Sequence, residues 1–209
     1  MTFRYADLDP QKKAFVFELD NVLFPQQDYD LQVYYLFAAF LEHTEQLNSK
    51  VILAQMQETY QTQGADAVFT SIKTAFSLNE KYRENFERLL KIARLPLKLL
   101  LYQQMLELLQ QIVIDRKQLF ILTNGDPEQQ LNKIKQTEWN GLEKYLVCYF
   151  AREIKPKPEP DALHQLLADH HLQRREIMMI GNNPADALCA QAAGVDYATV
   201  FDFVGKNKF

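Results

Sequence analysis

Five short apolar runs constrain this chain more than any other feature: "KAFVFELDN", "KQLFILTNGD", "YLVCYFAREI", "EIMMIGNN" and the final "DYATVFDF". Each stops at a polar or glycine-containing turn, and their lengths suit strands buried on both faces. Such strands need cover above and below. Helical patterns between the later runs supply it. "DPEQQLNKIKQT" begins with an acidic cap and sets Leu131 and Ile134 at a helical interval, and "EPDALHQLLADHHL" repeats Leu163, Leu166 and Leu167. "PADALCAQAAG" ends at Gly194, a residue suited to a helix C-cap. Strands alternating with helices predict an α/β fold with a doubly wound parallel sheet.

Residues 27–98 break the alternation. "DYDLQVYYLFAAFLEHTEQL", "SKVILAQMQETYQTQG", "ADAVFTSIKTAF" and "NEKYRENFERLLKIARL" all carry helical periodicity, and the region has one glycine, Gly64, and no proline before Pro96. This stretch reads as a helical insertion between the first strand and a long helix, "LKLLLYQQMLELLQQIVI". With 209 residues, the chain can hold one good core and a second small unit. The expected division is a core of 1–26 with 99–209, and a helical unit of 27–98.

Charge excludes several classes of partner. A net charge of −4 gives no electrostatic footprint for nucleic acid. No apolar run approaches the roughly 18 residues of a membrane span, and the opening "MTFRYADLDPQKK" has no signal-peptide core. Cys148 and Cys189 lack metal-like spacing and read as reduced, structural thiols. A cytoplasmic protein with no nucleic-acid or membrane partner is the expectation.

The residues that follow each strand carry the chemistry. The first run ends in Glu18-Leu19-Asp20, the second in Thr123-Asn124-Gly125, the third leads into "KPKPEP", and the fourth gives Gly181-Asn182-Asn183 and then Asp186. In a parallel sheet these groups can converge on one crevice. Together they supply a carboxylate nucleophile, an acid or base, donors for phosphoryl oxygens and a metal site. That is the inventory of phosphoryl transfer through a covalent intermediate.

The order and spacing resemble the haloacid dehalogenase-like hydrolase superfamily over nearly the whole chain. "ELDNV" is similar to the family's D-x-D-x-T/V, with Glu18 in the leading place; Thr123 in "FILTNG" matches the second motif. Frames beginning at Lys155 or Lys157 both fit the K-P-x-P motif, and Lys157 is preferred because it sets Leu163 where the family has an apolar helix residue. "IGNNPADALCAQAAG" is similar to G-D-x-x-x-D, with Asn182 in place of the first aspartate.

The resemblance implies a Rossmann-like core with 27–98 as an inserted helical cap. Glu18, Asp20, Thr123 and Lys157 become the catalytic positions. Thr123, Asn124 and Lys157 are implied to bind substrate, and Glu18, Asp20, Asn182 and Asp186 to hold Mg²⁺. The implied activity is phosphomonoester hydrolysis on a small phosphorylated metabolite.

Two departures bear on that activity. Glu18 adds one methylene, about 1.5 Å, where attack tolerates a misplacement well under 1 Å. Asn182 removes an anion from a hard-cation site. Weak or absent Mg²⁺ and weak or lost turnover are therefore expected. The alternative is a non-catalytic protein that binds a phosphorylated ligand or a partner protein. A minor alternative is metal-independent dehalogenation, whose S-S-N-x-x-D motif shares the Asn183–Asp186 interval.

Overall fold

The computed structural model describes residues 4–205; the first three residues of the opening stretch and the last four of the chain lie outside it. Two compact units divide the chain, Met1–Gln26 with Leu99–Phe209, and Gln27–Lys98.

In chain order the elements are β1 (Ala14–Phe17), α1 (Gln26–Glu45), α2 (Ser49–Gln63), α3 (Val68–Ala75), α4 (Tyr82–Ile92), β2 (Leu99–Leu100), α5 (Gln103–Ile114), β3 (Gln118–Thr123), α6 (Pro127–Gln136), β4 (Thr137–Glu138), β5 (Leu146–Phe150), α7 (Asp161–Asp169), β6 (Ile177–Gly181), α8 (Pro184–Ala193), β7 (Asp196–Thr199) and α9 (Phe201–Val204).

The first unit is built on a five-stranded sheet in the order β5-β3-β1-β6-β7. Every pairing in it is parallel. The chain works outward from β1 through β3 to β5, then returns to lay β6 on the other side of β1. The order therefore reverses between β1 and β6, the place where open α/β sheets carry their ligand crevice.

All four residues of β1 are buried because helices cover both faces. On one face, Leu163, Leu166 and Leu167 of α7 and Cys189, Ala190 and Ala193 of α8 pack with Val16, Phe120, Leu122 and Met179. Strand side chains alternate, so Phe15, Phe17, Leu119 and Ile121 are buried on the other face, where α5 packs on β3. Each fully buried side chain of this size contributes about 1.5–3 kcal/mol relative to exposure.

Three local expectations need correction. The helix expected from Leu97 to Ile114 begins only at Gln103, because Leu99 and Leu100 pair as a short parallel strand with Thr137 and Glu138. The last apolar run is a strand only to Thr199; Asp202 accepts from the Thr199 N–H at 3.0 Å, and α9 follows. Finally, α6 does not bury the apolar pair that its periodicity marks. Leu131 is 40% exposed, while Gln130 and Lys133 face inward.

The second unit is all-helical among its described residues. Asn48 caps α2 by accepting from the N–H groups of Lys50 and Val51, and Gly64, at φ 87°, ends it. Its core gathers Tyr34, Phe37 and Leu41 of α1 with Ile52, Met56, Phe69, Ile72 and Phe86. The rings of Phe37 and Phe86 lie 5.0 Å apart. No helix among the described residues is long and apolar enough to cross a membrane.

Candidate active site

The polar clusters meet at the carboxyl ends of β1, β3 and β6. Glu18 directly follows β1, and its backbone N–H still donates to Ile180 of β6 at 3.0 Å. Lys157 reaches the same point from the loop after β5 and lies almost wholly buried. Its ammonium donates to Glu18 Oε2, to Asp186 Oδ1 and, at 3.0 Å, to the Leu122 carbonyl. Three N–H bonds thus meet three acceptors. Lys155 is exposed and pairs with Glu159 at 3.1 Å, so of the two motif lysines only Lys157 enters the site.

Asp186 is buried in the first turn of α8, where a carboxylate suits the positive end of the helix. Its Oδ2 accepts from the N–H of Asn182 at 3.1 Å and of Asn183 at 3.4 Å. Asn183 Oδ1 in turn accepts from Asp186 N–H at 3.0 Å, which closes a capping box. Gly181 makes room for this carboxylate. A Cβ there would stand 2.5 Å from Asp186 Cβ and 2.6 Å from its Oδ2. Gly181→Ala is therefore expected to lower stability by about 1–3 kcal/mol in urea unfolding, by pushing Asp186 off Lys157. A loss below about 0.5 kcal/mol would show that the carboxylate is free to shift.

Asp20 is engaged separately. Both its oxygens accept from Lys133 Nζ at 2.8 Å, and Oδ2 also accepts from Gln130 Nε2 at 2.8 Å. The same Gln130 nitrogen donates to Thr123 Oγ1 at 2.7 Å. This fixes the amide's orientation and leaves Gln130 Oε1 buried with no hydrogen-bond partner. The amide keeps that orientation because its nitrogen faces two oxygens, Asp20 Oδ2 and Thr123 Oγ1.

Gln130 and Lys133 were not legible as site residues. Their one signal is the i, i+3 spacing of two polar residues on the helix after Thr123, and Leu131 and Ile134 masked it.

Asn124 uses both ends of its amide on the backbone of Lys157. Its Nδ2 donates to the Lys157 carbonyl and its Oδ1 accepts from the Lys157 N–H, each at 2.8 Å. Asn182 faces the loop after β1, donating to the Asn21 carbonyl at 3.4 Å, while its Oδ1 accepts from Asn183 at 3.2 Å.

Glu18 is folded back on its own strand end. Its Oε1 accepts from the N–H of Leu19 at 2.7 Å. The Thr123 hydroxyl, whose oxygen accepts from Gln130, favours the ionised form of the same carboxylate.

Burial raises the Glu18 carboxyl above its ordinary pKa, opposed chiefly by the Lys157 charge, with Asp186 adding to the rise. Burial works against the charged form of Lys157, yet Glu18 and Asp186 outweigh it and hold the ammonium above its usual range. Among the described residues, no three acidic, histidine or cysteine side chains are grouped to hold a metal ion.

Comparison with known proteins bears on the family and the fold. A family model described as haloacid dehalogenase-like hydrolase matches residues 15–200. A phosphoglycolate phosphatase from Photobacterium profundum is 41% identical over 58 residues, which is 27% of this chain and only 25% of that protein's length. A family hydrolase from Deinococcus radiodurans R1, solved with bound phosphate and sodium, superposes with a TM-score of 0.57 at 16% identity, covering 91% of this chain and 81% of that one. A hydrolase from Streptococcus pneumoniae TIGR4 gives a TM-score of 0.52 at 17% identity, covering 90% and 92%. At these identities the two structures show the shared fold.

Proposed function

The chain belongs to the haloacid dehalogenase-like hydrolase family, and on that premise we propose that it is a slow phosphomonoester hydrolase for a small phosphorylated metabolite. One observation carries the reading. Two carboxylates, Glu18 and Asp20, stand at the sheet's switch point with a buried ammonium and a hydroxyl, and each carboxylate has its own cationic partner.

In this reading, Glu18 is the nucleophile. One of its oxygens bonds to phosphorus as the ester P–O bond breaks, and the leaving oxygen takes a proton from the acid form of Asp20. Water then hydrolyses the acyl phosphate. Thr123 donates to a phosphoryl oxygen, and Lys157 balances charge. Lys133 and Gln130 position Asp20, and Asn124 positions Lys157 through its backbone. The helical unit 27–98 acts as the cap that selects substrate, and the setting is cytoplasmic.

Turnover is slow because Glu18 cannot attack while it accepts from Leu19 and Lys157. Members of this family generally use Mg²⁺. Here the carboxylates of Glu18 and Asp186 share one lysine, and Asn182 brings no charge. These donors fit a hard divalent cation poorly.

A second reading, binding without turnover, is favoured by the neutral Asn182 and by a Glu18 carboxylate turned back onto the Leu19 N–H. The phosphatase match, although it spans a quarter of that protein, points to small phosphorylated carboxylic acids as the first substrates to try. The test is phosphate release from p-nitrophenyl phosphate, 2-phosphoglycolate and a panel of sugar phosphates and nucleotides. Release is expected at well under the roughly 10 s⁻¹ typical of enzymes. No release from any of them would leave the binding reading.

A further inference from the structure

Two donors meet the Glu18 carboxylate, a backbone amide from Leu19 and an ammonium from Lys157, and the nearby Thr123 hydroxyl favours its ionised form. Such a set is a cradle for an oxyanion, since both N–H donors are directed at one negative centre. The cradle is held from behind. Gln130 Nε2 donates to Thr123 Oγ1 at 2.7 Å, and Asn124 clamps the Lys157 peptide. Glu18 sits in it almost completely buried.

We propose that the Glu18 side chain is the resident occupant of this chain's oxyanion cradle, an internal anion that a phosphoryl ligand must displace. The proposal rests on the reading above, in which the cradle is where a phosphoryl group binds, and it adds what regulates access to it. The extra methylene is the device. It lets the side chain curl round until Oε1 meets the N–H of the very next residue, while Oε2 stays on the lysine. An arriving phosphate therefore meets donors already satisfied, and a negative charge among them.

The test is calorimetric titration of inorganic phosphate, without added metal, into the wild type, Glu18→Ala and Glu18→Gln. Glu18→Ala empties the cradle and is expected to bind phosphate about tenfold or more tightly than the wild type, the worth of one regained charge-assisted hydrogen bond. Glu18→Gln removes the charge but keeps the bulk and a carbonyl for the Leu19 N–H, so its affinity should fall between the two. Adding Thr123→Val to Glu18→Ala should remove much of the gain.

Melting curves establish that each variant is folded; should Glu18→Ala not fold, Glu18→Ser takes its place in the series. Equal affinity in the wild type and the folded small-residue variant would overturn the proposal. So would equal tightening in the glutamine and small-residue variants, because charge alone would then be the barrier. Phosphate release by the wild type without any tightening in the variants defeats this inference and leaves the hydrolase reading standing. Tightening with no release from any substrate does the reverse.

Discussion

Lys157→Met is expected to lower folding stability by about 3–5 kcal/mol, and with it the melting temperature by about 6–20 °C. The ammonium lies between two carboxylates, and both Lys157 and Asp186 side chains are fully buried. Removing it strands two negative charges in a place that water does not reach. Methionine fills the volume, so the loss reports on charge rather than on a cavity.

The deficit carries a pH signature. Glu18 already has its pKa raised by burial, and Lys157 is the main influence opposing that rise. An acid with a raised folded pKa binds more protons folded than unfolded. Its ionised form therefore costs stability above that raised value, and the cost fades as pH falls toward the ordinary value of 4.5. Without Lys157 the rise is greater, so the gap between variant and wild type should narrow as pH falls from 7 toward about 4.5. Chelator in every sample keeps adventitious metal from masking it. Adding Glu18→Gln to Lys157→Met should recover part of the loss, since one of the two stranded charges is gone. A loss below about 1 kcal/mol at pH 7 would mean that the lysine is neutral or the carboxylates are hydrated.

The sheet was legible in the sequence because its strands are buried on both faces. That burial turns each into an unbroken apolar run, and it makes the polar residues at each end conspicuous. Glu18, Thr123 and Asn182 stood out for that reason. What was not legible depends on contacts between distant residues. Periodicity finds apolar side chains, so it chose Leu131 and Ile134 on α6 and passed over the buried pair Gln130 and Lys133. Those two turn inward only because Asp20, 110 residues away from the first, supplies an acceptor. Asn124 looked like a ligand for substrate, yet both ends of its amide pair with a peptide 33 residues on. Leu99 and Leu100 carry a helical pattern, and only their pairing with Thr137 and Glu138 makes them a strand. The extra methylene of Glu18 was visible, but not the Leu19 amide to which it returns.

Glu18→Asp combined with Asn182→Asp is expected to raise kcat/KM for phosphate release by about 100-fold or more, with each change alone giving little. Shortening residue 18 by one methylene, about 1.5 Å, takes its carboxylate off the Leu19 N–H and leaves an oxygen free to approach phosphorus. A misplacement near 1 Å is worth on the order of 100-fold, which sets the size of the gain. Asn182→Asp adds back the anionic charge that a hard cation requires beside Asp186. The two changes serve one transition state, so their effects should multiply to more than the product of the singles. Asp20→Asn placed in the double variant should abolish the gain, because the leaving oxygen would lose its proton source while Lys133 and Gln130 stay in place. Phosphate release is measured for the wild type, both singles, the double and the triple, with and without Mg²⁺. Brisk release by the wild type that Glu18→Asp slows would make the longer side chain a competent nucleophile as it stands. A double variant that stays inert on the whole panel would mean that catalysis was lost beyond these two positions, and that the cradle serves to bind an anion.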